Sequence, residues 1–221
     1  MEKQKNRTVY GRRQSRPLKE SQKDLWKNLF PAVNLHLESL PNSYPENVIF
    51  EIGFGGGENI AYQAINNPNA ICIGCEPFIN GVASLLSKIA AENITNIKIF
   101  NDDAKILLNA MPDKLISKTF ILFPDPWPKN RHHSRRIVNM ENLLLIRQKM
   151  KKAGEIIIAT DHLGYLDWVL KVIKQPLFLE NFKITHTPDL PRPSEEEIPA
   201  TRYEKKALEN RPGAFFKFTT I

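Results

Sequence analysis

The sequence predicts an α/β fold with a mostly parallel, doubly wound sheet. Two observations carry this. Between residues 48 and 174, short β-prone runs alternate with segments of helical periodicity, and residues able to do chemistry fall repeatedly just past the end of a run. A chain of 221 residues with 42% apolar content buries one good core, so a single domain with accessory segments is expected.

The elements follow in order. Residues 1–20 form a basic arm, expected to be flexible. Up to residue 23 there are eight Lys/Arg (Lys3, Lys5, Arg7, Arg12, Arg13, Arg16, Lys19, Lys23) against Glu2 and Glu20, which leaves only +1 of the formal +7 for the rest of the chain. Such an arm suits a polyanion, or is a solvated tail, and it lacks the apolar face that a lipid surface would need. Residues 21–45 carry Leu25, Trp26, Leu29, Val33 and Leu37 near helical spacing, interrupted by Pro31, which predicts one or two helices packed on the core. The main domain, 46–221, then reads strand 48–53, helix 58–65, strand 70–76, helix 80–92, strand 97–100, helix 104–111, strand 118–123, helix 137–152, strand 155–160 and helix 165–174. After these come a candidate strand 177–186, a Pro- and Glu-rich loop 187–200, a short helix 202–208 and a last strand 214–219.

No apolar run reaches transmembrane length and the first eleven residues contain no hydrophobic core of a signal peptide, so a cytoplasmic protein is expected. Cys72 and Cys75 are three apart inside a predicted strand. That spacing puts their side chains on opposite faces, so they are read as core residues and not as a redox or metal pair.

The chemistry concentrates at the strand ends. Glu51-Ile-Gly-Phe-Gly-Gly-Gly57 follows the first strand, and its glycines Gly53, Gly55 and Gly57 permit a tight turn and close approach of a ligand. A dinucleotide fingerprint would need glycine where Glu58 stands, which weakens a nicotinamide reading. Glu76 ends the second strand, suited to a ribose, and Asp102 and Asp103 end the third, suited to an adenine amino group or to capping a helix. Beyond the fourth lies Phe123-Pro-Asp-Pro-Trp-Pro-Lys-Asn-Arg-His-His-Ser-Arg-Arg136, an acid on a proline-locked turn followed by a cationic ramp. An exposed Asp125 is expected to stay ionised with an ordinary pKa near 3.9.

The glycine turn, the acids after strands two and three and Pro-Asp-Pro-Trp after strand four resemble a class I S-adenosylmethionine-dependent methyltransferase. More narrowly, Phe-Pro-Asp-Pro-Trp-Pro-Lys-x-Arg-His, Thr160-Asp161-His162 and Thr201-Arg202-Tyr203-Glu204 resemble the bacterial tRNA (guanine-N7)-methyltransferase family. The resemblance implies a Rossmann-like fold: a seven-stranded, mostly parallel sheet with helices on both faces and an antiparallel last strand. It implies methyl transfer from S-adenosylmethionine to N7 of the variable-loop guanine, guanine 46, of tRNA. By position, Glu51, Gly53, Gly55, Gly57, Glu76, Asp103 and Asp125 match cofactor-binding residues, Asp125 being also the catalytic position. Lys129, Asp161, Thr201, Arg202, Tyr203 and Glu204 match substrate-binding positions. Arg131, His132, Arg135 and Arg136 are candidates for RNA phosphates. Asp161 would equally serve as a helix N-cap, and Thr201 with Glu204 as a capping box. Ser134 replaces a lysine common in the family, and Glu195–Glu197 adds acidity near the substrate side. The partner expected is tRNA, without membrane or metal, for a monomer or weak homodimer.

Overall fold

The computed structural model describes residues 12–40, 44–206 and 212–221. Helices α1 (Glu20–Asn28) and α2 (Phe30–Val33) are separate because Pro31 sits in the first turn of α2, where its missing N–H costs nothing, and could not continue α1. Leu25, Trp26, Leu29, Phe30 and Val33 pack onto the core, with Trp26 and Phe30 stacked at 4.5 Å.

The alternation then runs β1 (Val48–Ile52), α3 (Glu58–Asn66), β2 (Ile71–Cys75), α4 (Ile79–Glu92), β3 (Ile97–Phe100), α5 (Ala104–Ala110), β4 (Ile116–Leu122), α6 (Met140–Lys149), β5 (Met150–Thr160) and α7 (Leu163–Ile173). The chain ends through α8 (Pro176–Leu179), β6 (Phe182–His186), α9 (Arg202–Lys206) and β7 (Ala214–Thr220). The seven strands lie in the order β3-β2-β1-β4-β5-β7-β6. β1 to β5 pair in parallel and β7 enters antiparallel between β5 and β6. Strand order reverses between β1 and β4, and at such a switch point the connecting loops diverge and leave a crevice beyond the strand ends.

Apolar side chains pointing alternately up and down build a core on each face of the sheet. Cys72 joins the core with Ile60, Leu85 and Leu86 of α3 and α4, while Cys75 joins the other with Leu107, Leu143 and Val169 of α5, α6 and α7. Both cysteines are free, and burial pushes their thiols well up, Cys72 to about 12.

Four expectations need correction. The arm is not solvated throughout: from Arg13 to Arg16 it is hydrogen-bonded to the start of α4, where the Asn80 side chain satisfies its backbone, and to the loop after β3, where the Arg13 guanidinium donates to the Asn101 carbonyl. The helix expected over 137–152 begins only at Met140, where the Asn139 side chain caps it by accepting from Asn142 N at 2.9 Å. Residues 130–135 form a separate 3₁₀ helix. β5 starts early, with an irregularity against β4 between Met150 and Glu155 where Ala153 turns to φ 58°. The strand expected from Leu177 starts at Phe182, since Pro176 opens a helical turn instead.

Candidate active site

A cleft of about 510 Å³ opens at the carboxyl ends of β1 to β4. Its floor is the glycine turn, with φ of 73°, 54° and 78° at Gly53, Gly55 and Gly57, conformations that L side chains rarely adopt. A Cβ at Gly53 would meet nothing within 4 Å, so that glycine leaves open space for a ligand. By contrast, a Cβ at Gly81 of α4 would come to 2.3 Å from the Gly55 carbonyl oxygen, so α4 packs directly under the turn.

Acids surround this floor. Glu76 is 7% exposed, its two oxygens accepting from Gly55 N at 2.7 Å and Phe78 N at 2.9 Å, so one carboxylate ties the turn to the entry of α4. Burial nevertheless pushes its pKa up to about 7. Glu51 is 3% exposed and lies behind the turn, accepting from Asn59 Nδ2 at 3.1 Å; burial, reinforced by Glu58 and Glu76, pushes it up to about 8. Asp125 lies at the cleft mouth. Its carboxyl is partly desolvated by the walls around it, which raises its pKa above the ordinary value expected for an exposed aspartate. Carboxylates crowded and desolvated in this way are stabilised in their charged form by a cationic ligand.

The remaining wall comes from β3 and α5. Asp103 caps α5, its Oδ1 accepting from Lys105 N at 2.9 Å, and it still lines the cleft, so capping and ligand contact are compatible. Asp102 pairs with Arg13 at 3.5 Å. Asn142, also in the lining, donates from Nδ2 to the Ile137 carbonyl at 2.9 Å.

The proline-rich turn is held under strain. Phe123 and Trp127 have φ of 51° and 43°, sparsely populated for bulky residues and doubly restricted before a proline. The clamp is Arg136, 3% exposed, whose Nε donates to the Pro126 carbonyl at 2.9 Å, Nη2 to Trp127 O at 3.5 Å and Nη1 to Gly164 O at 3.4 Å. Its guanidinium lies 5.0 Å from the Trp168 ring and 5.4 Å from Tyr165. Arg136 is therefore misread as a phosphate ligand: its donors are spent on carbonyls inside the protein. Lys129 and Arg131 are exposed on the outer surface. His132 meets the Trp127 ring edge-on at 5.8 Å, and Arg135 lies over that ring at 5.0 Å.

The other expected positions flank the cleft. His162, not Asp161, caps α7, its Nδ1 accepting from Tyr165 N at 3.3 Å, so the capping alternative for Asp161 is withdrawn. Thr201 Oγ1 accepts from Glu204 N at 3.2 Å, which is half of a capping box. The other half is missing because Glu204 is held by Arg192, Nε to Oε1 at 2.5 Å and Nη2 to Oε2 at 2.9 Å. Arg202 faces Glu58 at 3.9 Å, above the glycine turn. The side chain of Tyr203, the end of the helix expected to run to 208 and arm residues 1–11 lie outside the described residues.

Gly53, Gly55, Glu76, Asp103 and Asp125 thus line one cleft, joined by Trp127 and Arg135; Glu51 and Gly57 support it from behind, and Lys129, Asp161, Thr201 and Glu204 lie outside its lining. Sequence reasoning missed Arg12 and Asn142, which both line the cleft. Nothing in an isolated basic tail or an amphipathic helix signals that a side chain will turn toward a cleft. Among the described residues no group of three or more His, Cys, Asp or Glu side chains could hold a metal, and no helix is long and apolar enough to cross a membrane.

Comparison with known proteins agrees with this geometry. A family model described as a putative methyltransferase matches residues 45–216. A tRNA (guanine-N(7)-)-methyltransferase from Wolbachia pipientis wMel is 41% identical over 189 residues, covering 84% of this chain and 80% of the relative. Another protein of that name, from Zymomonas mobilis, is 40% identical over 208 residues, covering 92% and 89%. In fold, the chain is similar to a putative methyltransferase from Streptococcus mutans solved in complex with SAH, at TM-score 0.55 and 13% identity, covering 89% of this chain and 97% of that one.

Proposed function

This chain belongs to the tRNA (guanine-N7)-methyltransferase family, and on that premise we propose how its cleft performs the reaction. The enzyme transfers a methyl group from S-adenosylmethionine to N7 of the variable-loop guanine 46 of tRNA. The observation that carries the reading is the convergence of the glycine turn, Glu76, Asp103 and Asp125 on one cleft at the topological switch point.

The residues fit the cofactor. Gly53 leaves room at the floor, Glu76 retains lone pairs beyond those its two amides use and can take the ribose hydroxyls, and Asp103 can accept from the adenine amine while capping α5. When bound, S-adenosylmethionine supplies an electrophilic methyl group on a positively charged sulfur. The chain's own residues orient the guanine and answer the charge. N7 carries a free lone pair and no proton, so no general base is needed. As the bond to N7 forms, positive charge appears on the imidazole ring, and Asp125, fixed by the clamped turn, stabilises that charge more in the transition state than before it. The same carboxylate can accept from N1–H and the exocyclic N2 amine, which selects guanine.

Lys129 and Arg131 hold phosphates, with Asp161, Thr201 and Arg202 on the substrate side. Action on tRNA supports a cytoplasmic location, and the assembly we propose is a monomer or weak homodimer. The test is incubation of purified protein with labelled S-adenosylmethionine and bulk tRNA, followed by nucleoside analysis. Label in 7-methylguanosine is expected, and label in any other nucleoside removes the assignment.

A further inference from the structure

The segment Arg12–Arg16 is tied down at five points. Arg13 Nη2 donates to the Asn101 carbonyl at 2.7 Å and its Nη1 pairs with Asp102 at 3.5 Å, both on the loop leaving β3. The Arg13 carbonyl accepts from Ile79 N at 2.7 Å, at the first residue of α4. Asn80 then reads the next residues from both ends, Oδ1 accepting from Ser15 N at 3.0 Å and Nδ2 donating to the Arg16 carbonyl at 2.9 Å. The loop leaving β3 and the entry of α4 are the two walls between which Glu76, Asp102 and Asp103 face the cleft, and Arg12 joins that lining.

We propose that Arg12–Arg16 is a cofactor-retaining strap: Arg13 staples the β3 loop to α4, and Arg12 closes the nucleoside end of the S-adenosylmethionine site. This rests on reading the cleft as that site. Without the staple, the loop leaving β3 keeps the bonds of Glu76 N to the Phe100 carbonyl at 3.1 Å and of Asn101 Nδ2 to the Glu76 carbonyl at 2.6 Å, and more of its ordering against α4 falls to the cofactor, at a cost to affinity. Arg13 is thus a positioning residue, distinct from the phosphate-binding role that its basic neighbourhood suggests.

The dissociation constants of S-adenosylmethionine and S-adenosylhomocysteine, by titration calorimetry without tRNA, decide the matter. Loss of a charge-assisted contact predicts about tenfold weaker binding for Arg13→Ala and for the chain lacking residues 1–16. Asn80 lies outside the cleft lining and its side chain bonds Ser15 and Arg16, so the several-fold loss expected for Asn80→Ala reports on the strap. In steady state, KM for the cofactor should rise in Asn80→Ala while kcat at saturating cofactor is retained, a split that general destabilisation does not produce. Removing residues 1–11 alone should leave the constants unchanged; an equal loss there overturns the assignment to Arg12–Arg16. Absence of binding by the wild type overturns the reading of the cleft, whereas wild-type binding with undiminished affinity in Arg13→Ala and Asn80→Ala overturns the strap.

Discussion

Replacing Glu76 by glutamine should remove a loss of stability that the cofactor-free protein suffers as pH rises to 8, and should weaken its cofactor binding as well. Burial lifts Glu76 from 4.5 to about 7, and each tenfold change in proton affinity is worth about 1.4 kcal/mol, so the displacement corresponds to about 3 kcal/mol. The sign follows from which state holds the proton more tightly. Below pH 4.5 both states are protonated and stability is full; as pH rises toward 7 the unfolded chain releases its proton first and stability is lost. Above that the loss is constant. Glutamine does not titrate, but it offers one acceptor oxygen where Glu76 uses two, so its amide nitrogen faces either the Gly55 or the Phe78 N–H and one hydrogen bond is lost at every pH, a cost of about 1 to 3 kcal/mol. The variant should therefore be the less stable protein near pH 4.5, and the difference should move in its favour by about 3 kcal/mol between pH 4.5 and pH 8, in urea unfolding without cofactor. Glu51 titrates in both proteins, but the charge on Glu76 raises its pKa, so Glu76→Gln also eases the ionisation of Glu51 and adds to the change in the same direction. Affinity for S-adenosylmethionine should meanwhile fall at least roughly tenfold, the scale of one charge-assisted bond. A stability difference independent of pH would show that the carboxylate is not held in the folded protein at a cost, and unchanged affinity would remove the ribose assignment.

Asp125→Asn should keep cofactor affinity while turnover falls at least about a hundredfold, the scale of one lost transition-state contact; a wild-type rate ends the catalytic assignment. On tRNA carrying inosine at the target position, which keeps N7 but lacks the N2 amine, the wild type should be slower, and equal rates rule out recognition through that amine. Lys129→Ala and Arg131→Ala should each flatten the plot of log affinity against log salt by about 0.7 to 0.9, measured by fluorescence anisotropy. Arg136→Gln should leave that slope in place and reduce turnover, since its hydrogen bonds go to Pro126, Trp127 and Gly164; a flattened slope would return it to the phosphate-binding set.

The parallel core was legible because each of its strands is a short apolar run bounded by a turn, and because acids recur at strand ends. Cys72 and Cys75 show how far such reasoning reaches: a separation of three in a strand places them in opposite cores, as found. Local propensity failed where tertiary contacts decide. Arg136 is one basic residue among several in sequence, and only the approach of Trp168 and Tyr165 from α7, thirty or so positions on, gives it an interior place. His162 won the cap of α7 from Asp161 through a one-residue choice of where the helix begins, which periodicity does not resolve. The strap escaped notice because its partners, Asn80 and Asn101, lie more than sixty residues away.

The clamped turn at Phe123–Trp127 has a consequence for the nucleic acid. Two disfavoured backbone conformations, that of Trp127 held by the buried Arg136 and that of Phe123 by its own N–H on the Ala159 carbonyl at 2.8 Å, make an anvil: a pre-set surface for an incoming base. Adaptation on docking is then expected from the RNA, whose guanine has to be brought to a turn that is already set. Discrimination among tRNAs would accordingly follow the looseness of the elbow around that base, so that the mechanics of the substrate, and not the plasticity of the enzyme, sets which molecules are methylated fastest.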